Sequence, residues 1–177
     1  MNLRLACVAL IGLSMCVAAS AQGRPHVHGA ATLGIVIEAG RVTVQLETPL
    51  DGLLGFERAP RTDAEKRRAA DAVATLRGAD ALFRFTPAAG CASASIELDS
   101  AALGLGQSDP GETASGHADL DGTFVFRCTD TTRLTEVDVG LFNAFAGMNR
   151  LQVEVATARG QFKRELTRPA QRVSLVR

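Results

Sequence analysis

The stretch His26-Val27-His28-Gly29-Ala30-Ala31-Thr32-Leu33-Gly34-Ile35-Val36-Ile37-Glu38 decides how the rest of the chain can fold. Every second residue from Val27 to Ile37 is small or apolar, whereas the alternate positions include two histidines, a threonine and a glutamate. Successive side chains of a strand point to opposite sides of a sheet, so this alternation predicts a half-buried strand over 26–38.

Two of the three histidines, His26 and His28, fall on the same face of this predicted strand. At a rise of about 3.3 Å per residue, their β-carbons would lie about 6 to 7 Å apart. Two imidazoles at that separation can reach one divalent metal ion. The pair is therefore the first candidate for metal binding, although a His-x-His spacing is not specific by itself.

The residues before this strand have the features of a secretory signal peptide. Arg4 is followed by an apolar run from Leu5 to Ala18 and by the small-x-small sequence Ala19-Ser20-Ala21. The pattern predicts cleavage after Ala21 and export to the periplasm. The apolar run is short for a membrane anchor, and no later stretch is long and apolar enough for stable insertion.

Composition limits the classes of function. The 177 residues include 19 basic and 19 acidic side chains, which indicates no affinity for nucleic acid. A hydrophobic content of 46% is sufficient for a core, and residues 22–177 are predicted to form a single β-rich domain.

Two cysteines, Cys91 and Cys128, remain after the predicted cleavage. An even pair in an exported protein favours a disulfide. The alternative is a thiolate metal site shared with the histidines, which an oxidising compartment disfavours.

The sequence beyond Glu38 predicts mainly strands. Arg41 to Thr48 alternates and predicts a hairpin with the first strand around Ala39-Gly40. We expect a loop over 50–60, whose Leu53, Leu54 and Phe56 would cover the end of the sheet. A helix follows, begun by a Thr62/Glu65 capping box and ended by Gly78.

Further strands are predicted over 81–86, 91–99, 117–128, 134–139 and 172–176, with a second hairpin over 151–166, one or two helical turns at 141–146, and a long loop over 101–116. The fold class is mainly β with one or two helices (α+β). Antiparallel hairpins would form a β-sandwich-like or two-sheet body.

The segment from His117 to Cys128 has the same alternating pattern as the first strand. It opens with a histidine on the polar face, and Asp119 follows two residues later on the same face. The similarity raises the hypothesis of two related halves, about 26–100 and 117–177.

A single zinc ion would suit a ligand set of three histidines and one carboxylate, because zinc accepts imidazole nitrogen and carboxylate oxygen. The candidate ligands are His26, His28, His117 and Asp119. Glu38, Glu47 and Glu57 are further carboxylates whose positions the pattern does not determine.

Enzymatic motifs are not evident. No serine lies in a nucleophile-elbow sequence, no glycine-rich phosphate loop follows a strand, and no His-Glu-x-x-His occurs. We expect a protein that is not an enzyme.

The sequence also resembles a known family. The segments His26 to Leu33, Leu46-Glu47-Thr48-Pro49 and Leu54-Gly55-Phe56-Glu57-Arg58-Ala59-Pro60 are similar to the ZrgA-like periplasmic zinc-binding family. The similarity continues through Cys91, His117 and Phe124-Val125-Phe126-Arg127-Cys128 to Leu141-Phe142 and Phe145. It implies a periplasmic protein that captures zinc and works beside an ABC-type importer. Of the histidine ligands, His26, His28 and His117 carry over.

Two positions depart from the family pattern. The family usually has a histidine- and acid-rich run before the position of His117, whereas residues 104–116 contain no histidine. The Gly-Phe-Glu block usually continues with histidine, and here the residue is Arg58, whose guanidinium is not a metal ligand. The resemblance therefore leaves two functions open. One is a single-site zinc protein that serves an importer, and the other is an envelope protein-interaction module that has lost metal binding.

Overall fold

Two β-sheets and four helices make up the part of the protein that the computed structural model describes, residues 27–106 and 118–176. The strands are β1 (Ala30–Glu38), β2 (Arg41–Pro49), β3 (Phe83–Phe85), β4 (Cys91–Asp99), β5 (Asp119–Cys128), β6 (Glu136–Val139), β7 (Arg150–Thr157), β8 (Gly160–Thr167) and β9 (Arg172–Ser174). The helices are α1 (Leu50–Leu54), α2 (Asp63–Arg77), α3 (Ala79–Leu82) and α4 (Leu141–Ala144). The predicted signal peptide, His26 and His117 lie outside the described residues.

The larger sheet has six strands in the order β4-β5-β2-β1-β7-β8, and the smaller has the order β3-β6-β9. The predicted two-sheet body of the α+β class is confirmed. One pairing differs from the expectation of antiparallel hairpins alone, since β1 and β7 run parallel from Ala30 opposite Arg150 to Ile37 opposite Thr157. The long connection between these strands makes a parallel pairing possible.

The core lies on one face of the six-stranded sheet. Leu33 and Ile35 of β1 are completely buried, as are Val42 and Val44 of β2. The small sheet packs onto this face through aromatic rings. The ring centroids of Phe83 and Phe124 are 5.1 Å apart. The alternation predicted for β1, β2 and β5 is therefore confirmed, because the apolar set of each strand faces this core.

Helix α2 begins as predicted. The Thr62 hydroxyl accepts a hydrogen bond from the Glu65 amide, and the Glu65 carboxylate accepts one from the Thr62 amide. Ala69, Ala72 and Leu76 bury the helix against the core, and Gly78 is its C-cap. The helix is therefore fixed at both ends and along one face. Among the described residues, no helix combines the length and hydropathy that crossing a bilayer requires.

The predicted disulfide is present. Cys91 of β4 and Cys128 of β5 are bonded and lie opposite each other in the antiparallel register. The Cys128 amide donates to the Gly40 carbonyl at 3.0 Å, so the disulfide lies at the end of the sheet where β1 turns into β2.

Several predicted boundaries are wrong. The strands predicted over 134–139 and 172–176 are shortened to β6 and β9, and three other differences change the type of element. The first strand begins at Ala30 rather than at His26, because residues 28 and 29 form a turn. The predicted loop after Pro49 contains α1, which forms because Leu50, Leu53 and Leu54 are buried together. The predicted strand over 81–86 is shortened to β3 by α3, whose Ala79 and Leu82 pack into the core.

Candidate metal centre

The turn before β1 places His28. Gly29 has a positive φ of 71°, and the Ala30 amide donates to the Val27 carbonyl at 2.9 Å. The Gly29 carbonyl accepts hydrogen bonds from the amides of Asn149 (2.7 Å) and Arg150 (3.0 Å). The turn is thereby attached to the beginning of β7. A β-carbon at position 29 would lie 2.9 Å from the Gly147 carbonyl oxygen, so only glycine fits without displacement.

Helix α1 supplies the second group, Asp51. Pro49 ends β2 and is the N-cap of α1, and the Leu50 amide donates to the Ala118 carbonyl of the neighbouring chain segment at 2.8 Å. Asp51, in the first helical turn, is thus held at the same end of the sheet as His28. Its Oδ2 lies 2.9 Å from Nδ1 of His28 and accepts the Gly29 amide at 3.2 Å.

The third group is Glu57, which follows α1. Gly55 ends the helix in the left-handed conformation (φ 81°) and turns the chain back toward His28. One carboxylate oxygen of Glu57 then lies 3.3 Å from Nδ1 of His28. One donor atom from each of His28, Asp51 and Glu57 lies within 4.8 Å of the other two. No other group of three or more such residues is found within the described parts of the chain.

The electrostatics of the cluster favour a positive charge. The hydrogen bond with Asp51 raises the pKa of His28 above its ordinary value, and the negative charges of Glu57 and Asp51 act in the same direction. A proton on Nδ1 and a metal ion would use the same lone pair, so they compete for it. The arrangement can hold either one, and it is built to stabilise a cation between two carboxylates.

The donor set fits a zinc ion. In a tetrahedral site with metal–ligand distances of about 2.0–2.1 Å, the ligand atoms lie about 3.3 Å apart. Nδ1 lies 2.9 and 3.3 Å from the two carboxylate oxygens, and all three donor groups lie within 4.8 Å of one another, so small side-chain movements would bring them to that spacing. In addition, Asp51 Oδ1 is buried and has no hydrogen-bond partner among the described residues. A buried carboxylate oxygen of this kind costs free energy unless a cation or a donor compensates it.

The cluster lies in an open cleft of about 450 Å³, which Asn149, Gly147 and Phe56 also line. The side chain of His28 is 79% exposed, whereas that of Asp51 is only 18% exposed. An ion can therefore reach the imidazole directly from solvent, while the carboxylates form the floor of the site.

The structure brings one of the predicted ligands into this cluster. His28 is a member, but it lies in a turn rather than on the strand. His26 and His117 are outside the described residues, so their ligand roles stay predictions. Asp119 lies at the beginning of β5, opposite Pro49 in the register, and is not a member of the cluster. Its predicted ligand role likewise stays a prediction.

Sequence reasoning missed Asp51 altogether and left Glu57 without a position. A signal for Asp51 was available, because it comes two residues after the proline that ends β2 and therefore close to the end of the sheet. Glu57 lies in the Gly-Phe-Glu block, which was noted for its similarity to a family and not for its chemistry.

Comparison with known proteins agrees with this chemistry. The model of the ZrgA family of zinc uptake proteins matches residues 25–175, which is most of the chain. No curated protein matches the sequence. The chain belongs to the ZrgA family of zinc uptake proteins, and its function is related to zinc.

Proposed function

We propose that this member of the zinc uptake family captures one zinc ion between His28, Asp51 and Glu57. The observation that carries the proposal is the convergence of an imidazole nitrogen and two carboxylate oxygens from three separate segments, all within 4.8 Å of one another. The other oxygen of the same carboxylate, Asp51 Oδ1, is buried without a hydrogen-bond partner among the described residues, and a cation bound to the carboxylate would lower the cost of that burial.

The donor types favour zinc over the hard cations. Calcium takes six to eight oxygen ligands, and magnesium prefers oxygen with several retained waters. One imidazole with two carboxylates leaves room for a fourth ligand and suits zinc, which binds both donor types in four-coordinate sites. The description of the family as zinc uptake proteins supports the same ion.

We further propose that the protein works in the periplasm and delivers zinc to an ABC-type importer. Family membership and the Cys91–Cys128 disulfide support export, since structural disulfides persist in oxidising compartments. The 79% exposure of His28 supports delivery, because an ion bound at an open site can be passed to a partner. The proposed role is binding and transfer, without catalysis.

Zinc titration of the purified protein tests the proposal. We expect the wild type to take up about one equivalent with micromolar or tighter affinity, and His28→Ala and Glu57→Gln to bind at least about tenfold more weakly. Asp138→Asn is the matched control, since it removes a carboxylate on β6 in the other sheet. His26→Ala and His117→Ala measure whether the predicted histidines add to the site.

Two results would contradict the proposal. One is no zinc uptake by the wild type, which would favour the alternative function, a protein-interaction module that has lost metal binding. The other is zinc uptake that His28→Ala and Glu57→Gln leave unchanged, which would place the ion elsewhere on the chain.

A further inference from the structure

Of the three proposed ligands, Glu57 lies on the segment with the least regular structure. His28 is fixed by the turn at Gly29, and Asp51 belongs to a helical turn packed on the core. Glu57 instead lies in the irregular connection from Gly55 to Thr62, between α1 and α2. A carboxylate on such a segment needs an anchor to stay 3.3 Å from the imidazole.

The next residue provides that anchor. The guanidinium of Arg58 donates two hydrogen bonds to the carboxylate of Glu65, at 3.0 and 2.7 Å, one to each oxygen. Such two-point pairs define orientation as well as distance. Arg58 also lies over the ring of Phe56, 4.9 Å from its centroid, so the residues on both sides of Glu57 contact each other.

Glu65 is itself held firmly. Its carboxylate also accepts the amides of Arg61 (2.7 Å) and Thr62 (3.2 Å), which tie the end of the connection to the first turn of α2. The two helices are also joined directly. Arg68 of α2 donates a hydrogen bond of 3.1 Å to the Leu54 carbonyl at the end of α1. The connection is therefore attached to α2 at its middle and at both ends.

We propose that Arg58 and Glu65 are positioning residues for the metal centre, and that they act by holding Glu57 where it meets the ion. The inference rests on the proposed zinc site at His28, Asp51 and Glu57. Neither residue would touch the ion. The Arg58–Glu65 pair preorganises the carboxylate of Glu57 for binding. Loss of the pair should therefore lower zinc affinity without removing a ligand.

The test is a double-mutant cycle on zinc affinity with the full-length purified protein. We expect Arg58→Ala to weaken zinc binding by about tenfold or more, in the range seen for residues that orient metal ligands. Arg58→Lys should fall between Arg58→Ala and the wild type, because an ammonium cannot make the two-point contact. In the Glu57→Gln background, Arg58→Ala should have almost no further effect.

Arg172→Ala is the matched control. It removes a guanidinium that makes the same kind of two-point contact with Asp138 on the other sheet, at 2.8 and 3.2 Å. It should leave zinc affinity unchanged even where it lowers the melting temperature. Glu65→Gln offers a second way to weaken the pair should Arg58→Ala fold poorly, and it should also weaken zinc binding.

The outcomes separate this inference from the proposed function. Tight zinc binding by the wild type with equal binding by Arg58→Ala and Glu65→Gln would overturn the positioning role alone. A loss of affinity of the same size in the Glu57→Gln background would overturn it as well, because the effect would not pass through Glu57. No zinc binding by the wild type would overturn both.

Discussion

Nδ1 of His28 lies 2.9 Å from Oδ2 of Asp51, although the two residues are separated by 23 positions and belong to a turn and a helix. The hairpin of β1 and β2 produces this contact. The two strands run antiparallel, so the segment before β1 and the segment after β2 meet at the same end of the sheet. Glu57 joins them because α1 is short and Gly55 reverses the chain directly after it.

Gly29 should be essential to the site, and Gly29→Ala tests this. The substitution places a β-carbon at a φ of 71° and 2.9 Å from the Gly147 carbonyl oxygen. We expect a loss of at least about 1 kcal/mol in the free energy of unfolding, measured in urea, together with weaker zinc binding. Gly34→Ala is the control, because a β-carbon there would lie at ordinary contact distance, 3.6 Å, from its nearest neighbour. Equal behaviour of the two variants would contradict the role given to the turn.

The disulfide should stabilise the fold without taking part in metal binding. Cys91 and Cys128 are 37 positions apart, and closing a loop of that size stabilises by about 4 kcal/mol on the chain-entropy model. The double variant Cys91→Ser/Cys128→Ser should therefore unfold at lower urea concentration. Its zinc affinity in native buffer should match that of the wild type, since the disulfide lies at the opposite end of β2 from the cluster. A large loss of zinc affinity in the folded variant would favour the alternative in which the two cysteines bind the metal as thiolates.

Glu65 should make stability depend on acid pH. Hydrogen bonds from Arg58, Arg61 and Thr62 lower the pKa of Glu65 in the folded protein to about 2. The unfolded chain, whose glutamate has a pKa near 4.5, then binds more protons between these two values. The stabilisation is complete above about pH 4.5 and is lost as the pH falls toward 2.

Urea unfolding from pH 2 to 6 checks this expectation. Glu65→Gln should show a flatter dependence of the free energy of unfolding on pH than the wild type. Asp71→Asn removes one carboxylate on the exposed side of the same helix and is the matched control. Parallel curves for the wild type and Glu65→Gln would show that the contacts of this carboxylate do not form in solution.

The core on which the site rests should be sensitive to cavities. Phe124 is completely buried and contacts Phe83 of the other sheet. Phe124→Ala should lower the free energy of unfolding by about 3–5 kcal/mol, measured by denaturant titration. Phe162→Ala is a milder comparison, because this ring on the edge strand β8 is only partly buried. Similar losses for both variants would contradict the assignment of the core to the space between the sheets.

Much of the fold could be predicted because it depends on local patterns. The alternation in β1, β2 and β5 identified their buried faces, and the Thr62/Glu65 capping box located the start of α2. The onset of β1 could not be predicted, since His28 and Gly29 continue the alternation. The turn there depends on hydrogen bonds from the amides of Asn149 and Arg150, more than 100 positions away.

The proposed metal site was harder to predict for the same reason. Histidines stand out in a sequence that has only three, whereas Asp51 and Glu57 are two among 19 acidic residues. Their proximity becomes visible only when the hairpin and α1 bring them to His28. Periodicity can place a residue on a face of a strand, but it does not show which segments meet at the end of a sheet.

Locating the ion in a zinc-loaded crystal tests most directly whether His28, Asp51 and Glu57 bind one zinc ion. Anomalous diffraction at the zinc absorption edge should locate one ion bonded to Nδ1 of His28, at about 2.0–2.1 Å, and to carboxylate oxygens of Asp51 and Glu57, at about 2.0–2.2 Å. An ion held by other residues, with Asp51 and Glu57 out of bonding distance, would contradict the account.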